Sequence, residues 1–156
     1  MNENLSPIAI GCDHAAYALK ETIKTYIRQK GIRVDDFGTN GLESVDYPDF
    51  GITVASLVSS GKFERGILIC GTGIGMSMVA NRFPCVRAAL CGDLFSAMMS
   101  RRHNNANILV LGARVIGEGL AVEIVRTWLE TPFEGGRHQL RIDKFDRMKN
   151  GCIPSA

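Results

Sequence analysis

The sequence predicts a single α/β domain in which a parallel sheet lies between two layers of helices. Three observations predict it. Short apolar runs alternate with stretches of helical periodicity along almost the whole chain. The run ERGILICG (64–71) is apolar at successive positions, as expected for a strand buried on both faces of a parallel sheet. The 156 residues suffice for one core and are too few for two ordinary domains. Residues 1–156 therefore read as one domain, with a basic helical tail over about 137–150.

The elements follow in order. PIAIGC (7–12) is a first strand, and from Ala16 the spacing Ala16, Leu19, Ile23, Ile27 marks a helix that Gly31 stops. IRVDDFG (32–38) alternates as a second strand, and the loop TNGLESVDY (39–47) follows. Pro48 suits the first turn of a helix whose inner stripe is Val54, Ala55, Val58, closed by Gly61. After the third strand comes a helix from about Ile74 to Arg82, then the strand VRAALCG (86–92) and a helix from Asp93 to Arg102. The strand ANILVLG (106–112) and a helix from Gly117 to Glu130, with Ala121, Ile124, Val125 and Trp128 inward, complete the alternation. Five strands separated by helices imply parallel pairing and right-handed crossovers, hence a Rossmann-like three-layer sandwich with a five-stranded parallel sheet.

Composition excludes several function classes. The hydrophobic share of 46% and charged share of 22% rule out a disordered or fibrous chain. A net charge of +2 is too balanced for a nucleic-acid or membrane-surface binder, so any anionic partner must meet a local cluster. The longest uncharged run, 66–81, carries Gly, Thr, Ser and Asn and is shorter than the ~20 apolar residues a membrane span needs. MNENLSP lacks a basic leader, and five cysteines without regular spacing suit a reducing compartment, so a cytoplasmic location is expected.

In an open parallel sheet, ligands bind beyond the carboxyl ends of the strands. That rule selects Cys12, Asp13 and His14 after the first strand, Cys70 and Gly71-Thr72-Gly73-Ile74-Gly75 after the third, and Cys91 and Asp93 after the fourth. The glycine turn opening a helix presents backbone N–H groups at the positive end of a helix dipole, a cradle for a phosphate or a reaction oxyanion. Glycines that merely permit tight strand–helix packing are the plainer explanation. GTGIG is one residue short of the dinucleotide pattern GxGxxG. Cys70, beside these amides, fits a base or a nucleophile, or simply a buried cysteine.

Asp13 also fits a helix cap, and His103 a histidine at a helix C-terminus. His14 is harder to explain structurally. Arg137, His138 and Arg141 stand at helical spacing after Gly135-Gly136, so two guanidinium groups can share a face and clamp a phosphate, with Arg114 a third cation. A solvated basic face is the alternative. Cys12, His14, Cys70 and His103 match no known ligand spacing, and no metal site is expected.

GCDHA, VDYPDF, GILICGTGIGMSMVANRF, SRRHNNANILVLGARVIG and FEGGRH, in order from about Ile8 to Arg141, resemble the ribose-5-phosphate isomerase B family, which also holds the galactose-6-phosphate isomerase subunits. The resemblance implies a cofactor-free Rossmann-like homodimer, or a dimer of dimers, with shared active sites acting on ribose 5-phosphate and ribulose 5-phosphate. It implies that Cys70 is the base moving a proton between C2 and C1, with Gly71, Gly73 and Gly75 in the oxyanion cradle. His103 and Thr72 resemble the ring-opening pair, Asp13 and Tyr47 sugar-hydroxyl contacts, and Asn104 a contact near the reacting oxygens. His14, Arg114, Arg137 and Arg141 resemble the phosphate clamp. Where some members carry a glutamate base, this chain has Met76, which implies the cysteine type. An isomerase of a six-carbon sugar phosphate, such as allose or galactose 6-phosphate, and a non-catalytic nucleotide-binding module stay open as alternatives.

Overall fold

The computed structural model describes residues 6–148. Its elements are β1 (Ile8–Cys12), a single 3₁₀ turn (His14–Ala16), α1 (Tyr17–Gln29), β2 (Val34–Asp36), α2 (Tyr47–Ser59), β3 (Arg65–Cys70), α3 (Ile74–Ala80), β4 (Ala88–Leu90), α4 (Leu94–Arg102), β5 (Ile108–Gly112), α5 (Glu118–Glu130) and α6 (Arg137–Met148). All five strands are parallel, in the order β2-β1-β3-β5-β4. Among the described residues no helix is long and apolar enough to cross a membrane.

Alternation along the central strands builds two cores. Ile8, Ile10, Ile67, Ile69, Leu109 and Leu111 face α1 and α5, where Ile23, Ile27, Ile124 and Trp128 are wholly buried. Ala9, Leu68, Cys70, Ile108 and Val110 point the other way, onto Val54, Ala55 and Val58 of α2 and Met76 and Ala80 of α3. These two cores with the sheet between them are the three expected layers. Met76 is a fully buried core residue rather than a group facing the cradle from outside.

Several boundaries differ from the sequence reading. The expected strands 32–38 and 86–92 shrink to three residues each. Both lie at the edges of the sheet, where only one neighbour supplies ladder hydrogen bonds. α3 stops at Ala80 instead of Arg82, because Asn81 caps it: its side-chain amide donates to Ser77 O and Ala88 O while its Oδ1 accepts from Ala88 N–H. Asp93 and Gly117 are caps preceding α4 and α5 rather than helical residues. The tail helix runs to Met148, and positions 149–150 lie outside the described residues.

One polar feature escaped the periodicity. Lys20 is completely buried, its Nζ donating to Asp36 Oδ2 at 2.8 Å and to Thr39 O at 2.7 Å. Lys24 pairs with the same carboxylate. Burial alone would push the Asp36 carboxyl up, but hydrogen bonds from both lysines and from Gly38 N–H outweigh it and hold the group below its ordinary range. The cluster ties α1 to β2 and to the loop that leads into α2.

Candidate active site

Since β1, β3 and β5 are neighbours, the segments leaving their carboxyl ends lie side by side. From β1 come Asp13 and His14. Asp13 is buried and accepts from Ala15 N–H at 3.1 Å, the capping role its position suggested. His14 Nδ1 accepts from Val45 N–H at 3.2 Å, so in the neutral ring Nε2 carries the proton. The buried lysine cluster anchors the loop that supplies Val45.

From β3 comes Cys70, 5% exposed, whose Sγ accepts from Gly73 N–H at 3.1 Å. Gly73 has φ +79° and abuts Leu111 O, so both its backbone and its surroundings demand glycine. Gly75 lies under the Tyr47 ring, which a Cβ would meet at 2.5 Å; the aromatic ring thus closes over the start of α3. Thr72 is exposed, its Oγ1 accepting from Ile74 N–H at 3.3 Å. From β5 comes Arg114, whose guanidinium lies 3.7 Å from where a Gly71 Cβ would stand. This edge therefore holds a sulfur, a turn rich in backbone donors, a histidine, an arginine and a tyrosine. Burial pushes the thiol of Cys12 up to about 12 and that of Cys91 up to about 11. Both shifts come first from desolvation and favour the protonated thiols.

The remaining expected residues are elsewhere in the chain. α4 starts at the carboxyl edge and returns, so His103 and Asn104 end it near the amino end of β5, whose first residue is Ile108. Cys70 pairs with Gly112 at the other end of β5. Four residue steps of ~3.3 Å put roughly 13 Å of strand between the two groups before the turn is counted. At the amino edge, His103 stacks on His138 with centroids 4.2 Å apart and ring planes 10° from parallel. Glu134 Oε2 lies 3.9 Å from His103 Nε2 and 3.5 Å from His138 Nε2, and Arg102 pairs with the same carboxylate. Arg137 and Arg141 line one groove along α6, as their spacing predicted. One chain thus assembles Asp13, His14, Tyr47, Cys70, Thr72 and Arg114, and holds His103, Asn104, Arg137 and Arg141 apart from them.

Glu134 was not singled out from the sequence, and His138 was noted only for its spacing with Arg137 and Arg141, although both belong to the FEGGRH stretch. The motif marks the place without showing which of its residues pack against His103.

The carboxyl edge of a Rossmann-like sheet thus joins a buried sulfur and a glycine cradle to a histidine and an arginine, an arrangement of the kind found where α/β proteins hold small ligands. The profile of the ribose/galactose isomerase family matches residues 8–145, and the chain belongs to that family. It is 45% identical to ribose-5-phosphate isomerase B of Escherichia coli over 139 residues, 89% of this chain and 93% of that one. It is 49% identical to a D-erythrulose-4-phosphate isomerase of Pectobacterium atrosepticum over 138 residues, 88% of this chain and 91% of that one. The structure of Clostridium thermocellum ribose-5-phosphate isomerase B superposes with a TM-score of 0.91 at 52% identity, covering 93% of this chain and 98% of that one.

Proposed function

We propose that the protein interconverts ribose 5-phosphate and ribulose 5-phosphate in the cytoplasm, using no cofactor. The observation that carries this reading is the Gly73 N–H directed at Cys70 Sγ within a cradle that also presents the Thr72 hydroxyl. Moving a proton from C2 to C1 needs one base over both carbons and donors for the oxygen that becomes negative. Cys70 is the base, and the backbone amides of Gly71 to Gly75 hold the enediolate. Asp13 and Tyr47 address the sugar hydroxyls. A phosphate held by His14 and Arg114 orients the reacting carbons through remote binding energy.

The site is completed by a second copy, which supplies His103 and Asn104 for ring opening and Arg137 and Arg141 for the phosphate. Two facts support this. Those residues and Cys70 sit at opposite edges of the sheet, and Ile74, Met78, Leu90, Leu94 and Phe95 expose apolar surface beside the cradle. In a twofold dimer each copy lends its amino edge to the other's carboxyl edge, giving two identical sites. The free cysteines of the described region suit a reducing cytoplasm.

A coupled isomerase assay comparing four-, five- and six-carbon aldose phosphates tests the substrate. The reading predicts the highest kcat/KM with ribose 5-phosphate. A clear preference for a six-carbon substrate, or binding of nucleotides without turnover, would overturn it.

A further inference from the structure

His103, Glu134 and His138 form a unit that the ring-opening reading does not by itself require. Their ligating atoms lie within 4.8 Å of one another, the distance scale of a metal site. The geometry argues against a cation. Nearly parallel stacked rings aim their nitrogen lone pairs alongside each other rather than at one point, and Arg102, Arg137 and Arg141 make the surroundings positive. What the arrangement does fix is one imidazole. Stacking on the buried His138 sets the plane of His103, and the Glu134 carboxylate faces its Nε2, itself held by Arg102 and by the Glu134 N–H bond to Arg102 O.

We propose that Glu134 and His138 are positioning residues for ring opening, holding His103 with its Nε2–H toward Glu134 and its Nδ1 free for the sugar. The proposal rests on the assignment of His103 to ring opening in the partner's site. In the step, Nδ1 takes the proton of the anomeric O1; the C1–O4 bond breaks, its electron pair going to O4; C1=O1 forms, and the proton passes to O4. Both oxygens are attached to C1, so one nitrogen can serve both. While His103 carries the extra proton, the Glu134 carboxylate, 3.9 Å from its Nε2, offsets the charge. Facing groups include His138, whose protonation is discouraged by burial first and then by His103 and Arg137, so the stacked partner stays neutral.

The substrate pair itself supplies the test. Ribose 5-phosphate closes to a furanose through O4, whereas ribulose 5-phosphate has its C5 oxygen phosphorylated and remains open. Conversion of ribose 5-phosphate therefore needs ring opening, and exchange of the C1 hydrogens of ribulose 5-phosphate in deuterated water does not. Glu134→Gln and His138→Ala should slow the forward reaction about a hundredfold, the scale of misplacing a catalytic group by an ångström. Exchange should fall by less than about twofold, since the base and cradle lie elsewhere. Glu134→Asp, which keeps the charge, and His138→Phe, which keeps a stacking ring, should recover most of the forward rate. Equal losses in both reactions, or no loss in either, would overturn the proposal. Wild-type protein that catalyses neither would instead overturn the substrate assignment.

Discussion

The two edges of the sheet are built by different means. At the carboxyl edge, backbone does most of the work: Gly73 is fixed by its positive φ, Gly75 by the ring above it, and Cys70 receives a main-chain N–H. At the amino edge, side chains do it, through the His103–His138 stack, the Glu134 ion pairs and the two arginines of α6. The difference teaches that the glycine turn is fixed by main-chain geometry within one fold, whereas the histidine and arginine cluster is held by side-chain pairs at the opposite edge, away from Cys70.

The largest expected effect is on the backbone-built edge. Cys70→Ala should fold and bind sugar phosphate yet lose about a thousandfold or more in turnover, with no deuterium entering C2 of ribose 5-phosphate in heavy water. Cys12→Ala and Cys91→Ala, whose thiols are pushed up by burial, should keep substantial turnover. Iodoacetamide labelling followed by mass spectrometry should find Cys70 protected by substrate. Activity of Cys70→Ala near the wild-type level would move the base to another residue.

On the side-chain-built edge the effects should be on binding. Arg137→Ala and Arg141→Ala should each raise KM about ten- to a hundredfold, the scale of losing a charge-assisted contact, with kcat changed less. Unchanged kinetics in both variants would return these arginines to a solvated face.

The smallest effect on turnover is expected from the scaffold common to both. Lys20→Met should cost about 3 kcal/mol of stability, the scale of breaking a buried pair, read from urea unfolding at neutral pH. The Asp36 carboxyl is depressed in the folded protein despite its burial, because of the lysines and Gly38. Its contribution is therefore present above the unfolded value of about 3.9 and is lost as pH falls through the lower folded value. Acid should narrow the gap between wild type and Lys20→Met, and a gap constant down to pH 2 would contradict the pairing.

Much of the fold was legible because burial on both faces leaves an unbroken apolar run, as in β3, and a helix against a sheet leaves a stripe, as in α5. Spatial order was not legible: β4 precedes β5 in the chain but lies outside it, and no local pattern records that exchange. Lys20 was missed because a buried ion pair looks like a surface lysine until its partner 16 residues away is placed beside it. The cradle was readable, since glycine, cysteine and strand end are adjacent in sequence. The amino-edge unit was readable only as separate residues, because His103, just after α4, and His138, in α6, lie 35 residues apart in sequence and meet only in the folded chain.

The central proposal is that each active site takes its base from one chain and its ring-opening histidine and two of its phosphate-binding arginines from another. Cys70→Ala protein and a His103→Asn/Arg137→Ala double variant, carrying different affinity tags, should each be inactive. Refolded together in equal amounts and purified for both tags, every mixed dimer should hold one intact site, giving about half of wild-type kcat per dimer. Mixed dimers no more active than the two parents would contradict a site shared between chains.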